Sequence, residues 1–174
     1  DMVTWEGESL KVKKINPIQA HKMKKNQHVN HAITALARNN YGKLFVSGDS
    51  SGLFQICDEA FREITSVDSA HNGAVQGLSF SPHDSKLVSG GDDSQLHIWT
   101  IGRKNPDVTL SGHQSDVKAL EWHPDRALVA SGSRDSAVRL WDPKAGSCVS
   151  ILTGHKKQVN CLGWNQNGNW LATG

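Results

Sequence analysis

Gly112-His113-Gln114-Ser115-Asp116-Val117, Ser131-Gly132-Ser133-Arg134-Asp135-Ser136 and Leu140-Trp141-Asp142 follow one another within residues 112–142. His113, Ser131, Asp135 and Trp141 each have a counterpart 42 residues upstream, in His71, Ser89, Asp93 and Trp99, and a further copy opens at Thr153-Gly154-His155. Apolar positions hold the same register: Val75/Val117/Val159, Leu78/Leu120/Leu162 and Phe80/Trp122/Trp164, with Ser89/Ser131/Thr173 beside them. Self-similarity at a fixed period in the low forties marks four-stranded units repeated radially, so the expected fold is an all-β propeller.

Within the copy starting at His113, Val117 to Trp122 reads as a first strand and His123-Pro124-Asp125-Arg126 as a turn. Ala127 to Ser131 reads as the second strand, Ser133-Arg134-Asp135-Ser136 as a tight turn, and Ala137 to Trp141 as the third strand. In that strand Val138 and Leu140 alternate with Ala137 and Arg139, a period of two that predicts one buried face. After Pro143-Lys144-Ala145-Gly146, Cys148 to Leu152 reads as an outer strand, and in the last copy Asn167-Gly168 is a strong hairpin-turn pair. The expected organisation is the end of a first blade in 1–20, a degenerate second blade with a basic insertion in 21–70, blades at 71–112 and 113–154, and the start of another at 155–174. A seven-bladed ring would need about 290 residues, so the chain reads as about four consecutive blades of a larger ring.

The recurring Ser, His, Asp and Trp predict a hydrogen-bond chain: Asp accepts from His, His bonds the Ser hydroxyl, and that hydroxyl accepts from the indole N–H. Ser, His and Asp together also compose a nucleophilic triad. A triad would occur once, whereas this set recurs at fixed offsets and always with Trp, the behaviour of a structural brace. No residue is therefore assigned a catalytic role, and neither a cofactor nor a metal is expected. In the second copy Ile33, Leu36, Ser47 and Gly48 keep the register, but Ser51 and Cys57 stand where Asp and Trp are expected. Near the start, Trp5 reads as the end of a third strand and Lys11 to Ala20 as an outer strand; His21, His28 and His31 all remain candidates for the histidine that opens the second copy.

Nothing in the 174 residues approaches the roughly 18 uninterrupted apolar residues of a membrane span, and no secretory signal is visible, so no membrane partner is expected. Cys57, Cys148 and Cys161 have no C-x-x-C spacing and suggest neither a disulfide framework nor a zinc site; a reducing intracellular compartment fits. The net charge of +2 is unevenly distributed, because no Asp or Glu lies between Glu8 and Asp49 while eight Lys or Arg do. That asymmetry points to an acidic partner, with Lys11, Lys13, Lys14, Lys22, Lys24 and Lys25 as the candidate contacts.

The third and fourth copies identify a WD-repeat protein. The run Gly112 to Pro124, Leu140-Trp141-Asp142-Pro143-Lys144-Ala145-Gly146, Gly154-His155-Lys156-Lys157-Gln158-Val159 and Trp164-Asn165-Gln166-Asn167-Gly168-Asn169-Trp170-Leu171 resemble the WD-repeat subunit of the eukaryotic cleavage and polyadenylation specificity factor. The resemblance covers residues 70–174 well and the first 70 poorly. It implies a nuclear, non-enzymatic subunit that helps to recognise the polyadenylation signal in pre-mRNA and docks on the large scaffold subunit beside a zinc-finger subunit, with no small-molecule substrate. The family stacks aromatic residues of its N-terminal arm and first outer strand on signal bases, whereas no aromatic lies between Trp5 and Tyr41 here. Lysines alone supply phosphate attraction that is blind to sequence. The alternative reading is a WD-repeat adaptor unrelated to RNA, such as a ubiquitin-ligase substrate receptor, on the basis of the Lys that follows Trp141-Asp142 by two.

Overall fold

The computed structural model describes residues 2–6, 9–13 and 31–174, and every regular element among them is a β-strand. Residues 1–30 and 31–174 form separate compact units. In the first, β1 (Met2–Glu6) pairs antiparallel with β2 (Ser9–Lys13), Glu6 facing Ser9 and Met2 facing Lys13. The outer strand expected from Lys11 thus begins at Ser9, because pairing resumes after an interval of two residues beyond β1; its expected continuation from Lys14 to Ala20 lies outside the described residues.

The second unit is built of antiparallel sheets whose strands pair in chain order. The second copy supplies β3 (Ile33–Arg38), β4 (Leu44–Asp49), β5 (Phe54–Asp58) and β6 (Glu63–Val67). The third supplies β7 (Val75–Phe80), β8 (Lys86–Gly91), β9 (Gln95–Thr100) and β10 (Val108–Ser111). The fourth supplies β11 (Val117–Trp122), β12 (Val129–Ser133), β13 (Val138–Asp142) and β14 (Ser147–Leu152), and a last hairpin pairs β15 (Leu162–Trp164) with β16 (Leu171–Thr173). The first strands β3, β7, β11 and β15 neighbour one another in that order, as in the inner ring of a propeller.

Strand β12 starts two residues later than expected. His123 N–H donates to the Leu128 carbonyl at 2.8 Å, and the His123 ring accepts from the N–H groups of Asp125 and Arg126, so the turn closes only at Leu128. At Asn167-Gly168, Gly168 takes φ +68°, the left-handed conformation that the Asn-Gly pair foreshadows.

Both faces of the inner sheets are buried, not one. Leu87 and Trp99 of the third copy enter a cluster with Val46, Phe54 and Ile56 of the second, while Val88, Leu96 and Ile98 enter another with Val117, Leu120 and Trp141 of the fourth. Adjacent residues on one strand therefore serve different cores, and period-two alternation divides two buried faces. A close approach between sheets recurs at the glycine that follows each recurring serine. A methyl placed on Gly48 would meet Val75 Cγ1 at 2.6 Å, one on Gly90 would meet Val117 Cγ1 at 2.8 Å, and one on Gly132 would meet Val159 Cγ1 at 2.6 Å. The recurring Ser-Gly and the recurring Val are thus two halves of one inter-sheet contact.

Polar links tie the same interfaces. Ser79 Oγ accepts from Trp122 N–H at 3.0 Å and Glu121 from Trp164 N–H at 2.6 Å. The Asp84 carboxylate gathers Asn39 Nδ2 at 2.9 Å and the N–H groups of Asn40 and Tyr41 at 3.0 and 3.2 Å from the preceding sheet. His123 Nε2 donates to the Gly168 carbonyl at 3.0 Å. Among the described residues, no helix is long and apolar enough to cross a membrane.

Over-filling this packing has a defined cost. Gly90→Ala is expected to lower unfolding stability by about 1–3 kcal/mol, the usual cost of forcing a methyl into a packed core. Chemical denaturation checks it; a variant as stable as the wild type would show that the sheets are not packed against this glycine.

Candidate functional site

The recurring polar residues converge beside the turn that joins the second and third strands of each complete copy. In the third, His71 Nδ1 lies 2.9 and 3.1 Å from the two oxygens of Asp93, His71 Nε2 lies 2.7 Å from Ser89 Oγ, and Trp99 Nε1 donates to the same oxygen at 2.9 Å. In the fourth, His113 Nδ1 lies 2.8 Å from Asp135, His113 Nε2 lies 2.7 Å from Ser131 Oγ, and Trp141 Nε1 donates to Ser131 at 2.8 Å. Each ionised carboxylate only accepts, so Nδ1 carries the proton and Nε2 accepts from the serine hydroxyl. Serine is the junction: it donates once and accepts once.

Asp93 and Asp135 also shape the turn between the second and third strands. Asp135 accepts from the N–H groups of Gln114 and Ala137 at 2.9 Å each, and Asp93 from those of Asn72 at 3.0 Å and Gln95 at 3.2 Å. These bonds enclose Ser94 and Ser136, which hold φ of 66° and 68° without being glycine. Such a conformation is costly and persists where its surroundings over-determine it.

The arrangement has the connectivity of a Ser-His-Asp nucleophile but not its access. Ser89 and Ser131 are both 0% exposed, and one lone pair of each hydroxyl is occupied by an indole N–H. A substrate has no route to either oxygen, so the geometry supplies rigidity, not attack.

Electrostatics follow the burial. Desolvation pushes His113 below its ordinary pKa, against the raising effect of the Asp135 hydrogen bond. Desolvation works against the charge on Asp93 and Asp135, yet the hydrogen bonds from the histidines and backbone N–H groups hold both below the usual carboxylate range. His97, buried beside His71 with ring centroids 4.7 Å apart, is lowered to about 4 by desolvation first and the His71 charge second.

The second copy closes its turn differently. Asp49, two residues before the position expected for the acid, accepts from Ser51 N–H at 2.8 Å, Ser51 Oγ at 2.6 Å and Leu53 N–H at 3.2 Å. Cys57 is buried at the Trp position, where desolvation raises its thiol pKa, and Phe54 sets its ring edge-on to Trp99 at 5.0 Å. In the last copy His155 Nε2 lies 2.8 Å from Thr173 Oγ1, the pair equivalent to His and Ser elsewhere. Sequence reasoning missed Asp49, although an Asp ending a strand before Ser-Ser-Gly is a recognisable turn signal.

Of the basic candidates, Lys11 and Lys13 lie on β2, and Lys14, Lys22, Lys24 and Lys25 fall outside the described residues, as do His21 and His28. His31 is described and exposed. In the second unit many cations are paired: Lys86 with Asp107 at 2.7 Å, Arg62 with Asp58 at 2.8 Å, and Lys118 with Asp116 at 3.0 Å.

The His97 shift has a definite sign. The unfolded chain, with His near 6.5, takes up a proton before the folded chain does, so stability is full above about pH 6.5 and declines as pH falls toward 4. The depressed Asp93 and Asp135 contribute stability that is present above about pH 3.9 and lost below it. His97→Gln is expected to flatten the fall in Tm between pH 7 and 4.5, and coincident Tm profiles for the two proteins would contradict this.

The WD domain, G-beta repeat family model matches residues 62–100, 104–142 and 146–174. Each match begins near the outer strand of one sheet and, in the complete matches, ends with the third strand of the next, so the sequence unit bridges two sheets. Polyadenylation factor subunit 2 of Candida albicans is 35% identical over 110 residues, 63% of this chain and 18% of that protein. Protein ROOT INITIATION DEFECTIVE 3 of Arabidopsis thaliana is 37% identical over 71 residues, 41% of this chain and 16% of that protein. The chain thus matches less than a fifth of the length of either relative. The crystal structure of RRP9 WD40 repeats superposes with a TM-score of 0.73 at 23% identity, over 78% of this chain and 43% of that one, a likeness of fold. With its sheets, its braces and the greater part of its length matching that repeat, the chain belongs to the WD-repeat propeller family.

Proposed function

We propose that the chain is a non-enzymatic WD-repeat scaffold of the pre-mRNA cleavage and polyadenylation machinery, acting in the nucleus by holding RNA and partner subunits in register. The observation that carries this reading is the 35% identity to a polyadenylation factor subunit across 110 residues. Braced serines closed to any substrate support a holding role over a chemical one. The partners in this reading are the large scaffold subunit and the zinc-finger subunit of the polyadenylation specificity factor, together with pre-mRNA. We read 71–112 and 113–154 as whole blades, 21–70 as a blade with a basic insertion, and 1–20 and 155–174 as parts of flanking blades.

The RNA contact is assigned to Lys11, Lys13, Lys14, Lys22, Lys24 and Lys25. They lie between Glu8 and Asp49, a stretch that carries Lys and Arg but no Asp or Glu and is therefore locally positive. Contacts of this kind position a phosphate backbone without reading bases, leaving base selection to an aromatic-bearing partner.

Binding of short A/U-rich RNA by the full-length protein with its partner subunits tests the assignment through salt. Six phosphate contacts predict a log–log slope of up to about −4 on single strands, reduced toward zero when the six lysines become glutamine. Absence of binding, or a negligible slope, would overturn the RNA contact. Co-purification with a ligase adaptor and without polyadenylation factors would overturn the whole assignment.

A further inference from the structure

We propose that the third copy carries a site for one divalent transition-metal ion of the zinc class, with Asp93, His71 and His97 as its ligands, and that the neighbouring copies cannot form the same site. One donor atom from each of the three residues lies within 4.8 Å of the others. A metal about 2.0–2.2 Å from each donor needs them about 3.3 Å apart, and His71 Nδ1 already lies 2.9 Å from Asp93, so His97 supplies most of the closure.

The outer contacts that orient a metal-binding histidine are already in place. His97 bonds Thr109 Oγ1 through Nδ1 at 3.0 Å, which leaves its other ring nitrogen as the donor. His71 holds Ser89 through Nε2 at 2.7 Å. When Nδ1 of His71 coordinates, its proton passes to the other side of the ring, and Nε2–H donates to Ser89 Oγ in place of accepting from it. The Trp99 N–H still donates to that oxygen. Asn72 and Gln95 N–H groups fix the Asp93 carboxylate, whose side chain is 15% exposed and gives an ion and a water ligand their way in. Two imidazoles and one carboxylate around an open position suit zinc, and cobalt substitutes for it as a spectroscopic probe.

What separates the copies is the residue at the position of His97. In the fourth it is Arg139, whose guanidinium lies 5.9 Å from the Trp141 ring centroid and has no lone pair to give. In the second it is Gln55, fully buried on β5 and bonded to Glu63 at 2.6 Å, and Ser51 stands at the acid position. Two copies have the complete brace; only the third adds a second imidazole.

The experiment titrates the full chain with Co²⁺ and Zn²⁺ near pH 7.5, following Co²⁺ absorption bands, heat and Tm. One equivalent is expected to bind and raise Tm, and His97→Gln to weaken binding by at least about 100-fold while Tm without metal stays within a few degrees. Should that variant fold poorly, imidazole NMR of the wild type decides: the Nδ1–H of His71 is expected to shift to Nε2–H on adding Zn²⁺. No binding below millimolar metal, equal binding by His97→Gln, or an unchanged His71 tautomer would overturn the site.

Discussion

A four-stranded sheet in this chain has two apolar faces, and only the sheets before and after it can cover them. That constraint governs the rest of the structure. Leu87 and Val88 are successive residues on one strand, yet they belong to separate cores shared with the preceding and following copies. The His, Ser, Asp and Trp chains span the two central strands of each sheet, closing the turn between the second and third strands while the indole of each chain also joins an inter-sheet core. Serine at the junction is fully buried between its imidazole and indole partners. Glycine follows it because the next copy's valine occupies the space a methyl would need.

The same economy explains why a Ser-His-Asp connectivity does no chemistry here. Nucleophilic catalysis needs an exposed oxygen with room for a carbonyl, whereas this oxygen is enclosed and held between an imidazole and an indole. The copies also differ beside the brace, where Gln55, His97 and Arg139 take the same register position. Each sets a different local chemistry against a common framework: an amide, a neutral imidazole and a permanent cation.

Much of this was legible in the residues. The 42-residue recurrence and the Gly-His and Trp-Asp landmarks specify the fold class, and the offsets between His, Ser, Asp and Trp specify their bonding, because pairing rules leave few ways to satisfy three buried polar groups and a half-buried acid. The two buried faces were harder to see: Val138 and Leu140 alternate with Ala137 and Arg139, and Arg139 reads as solvent-facing until its place over Trp141 is known. Asp84 and His123 act across an interface, on partners 43 to 45 residues away, and no local pattern announces such a bond. The start of β12 was displaced by His123, whose ring stabilises a longer turn than Pro124-Asp125 suggests.

The central claim is that the buried serine couples its partners into one structural unit. A double-mutant cycle on the fourth copy, Ser131→Ala against Trp141→Phe, measures that coupling directly by equilibrium denaturation. The account predicts an interaction energy of about 0.5–3 kcal/mol, since each single change already removes the hydrogen bond that the other would remove. Additive effects, to within about 0.5 kcal/mol, would show that serine and indole act independently and that no such brace exists.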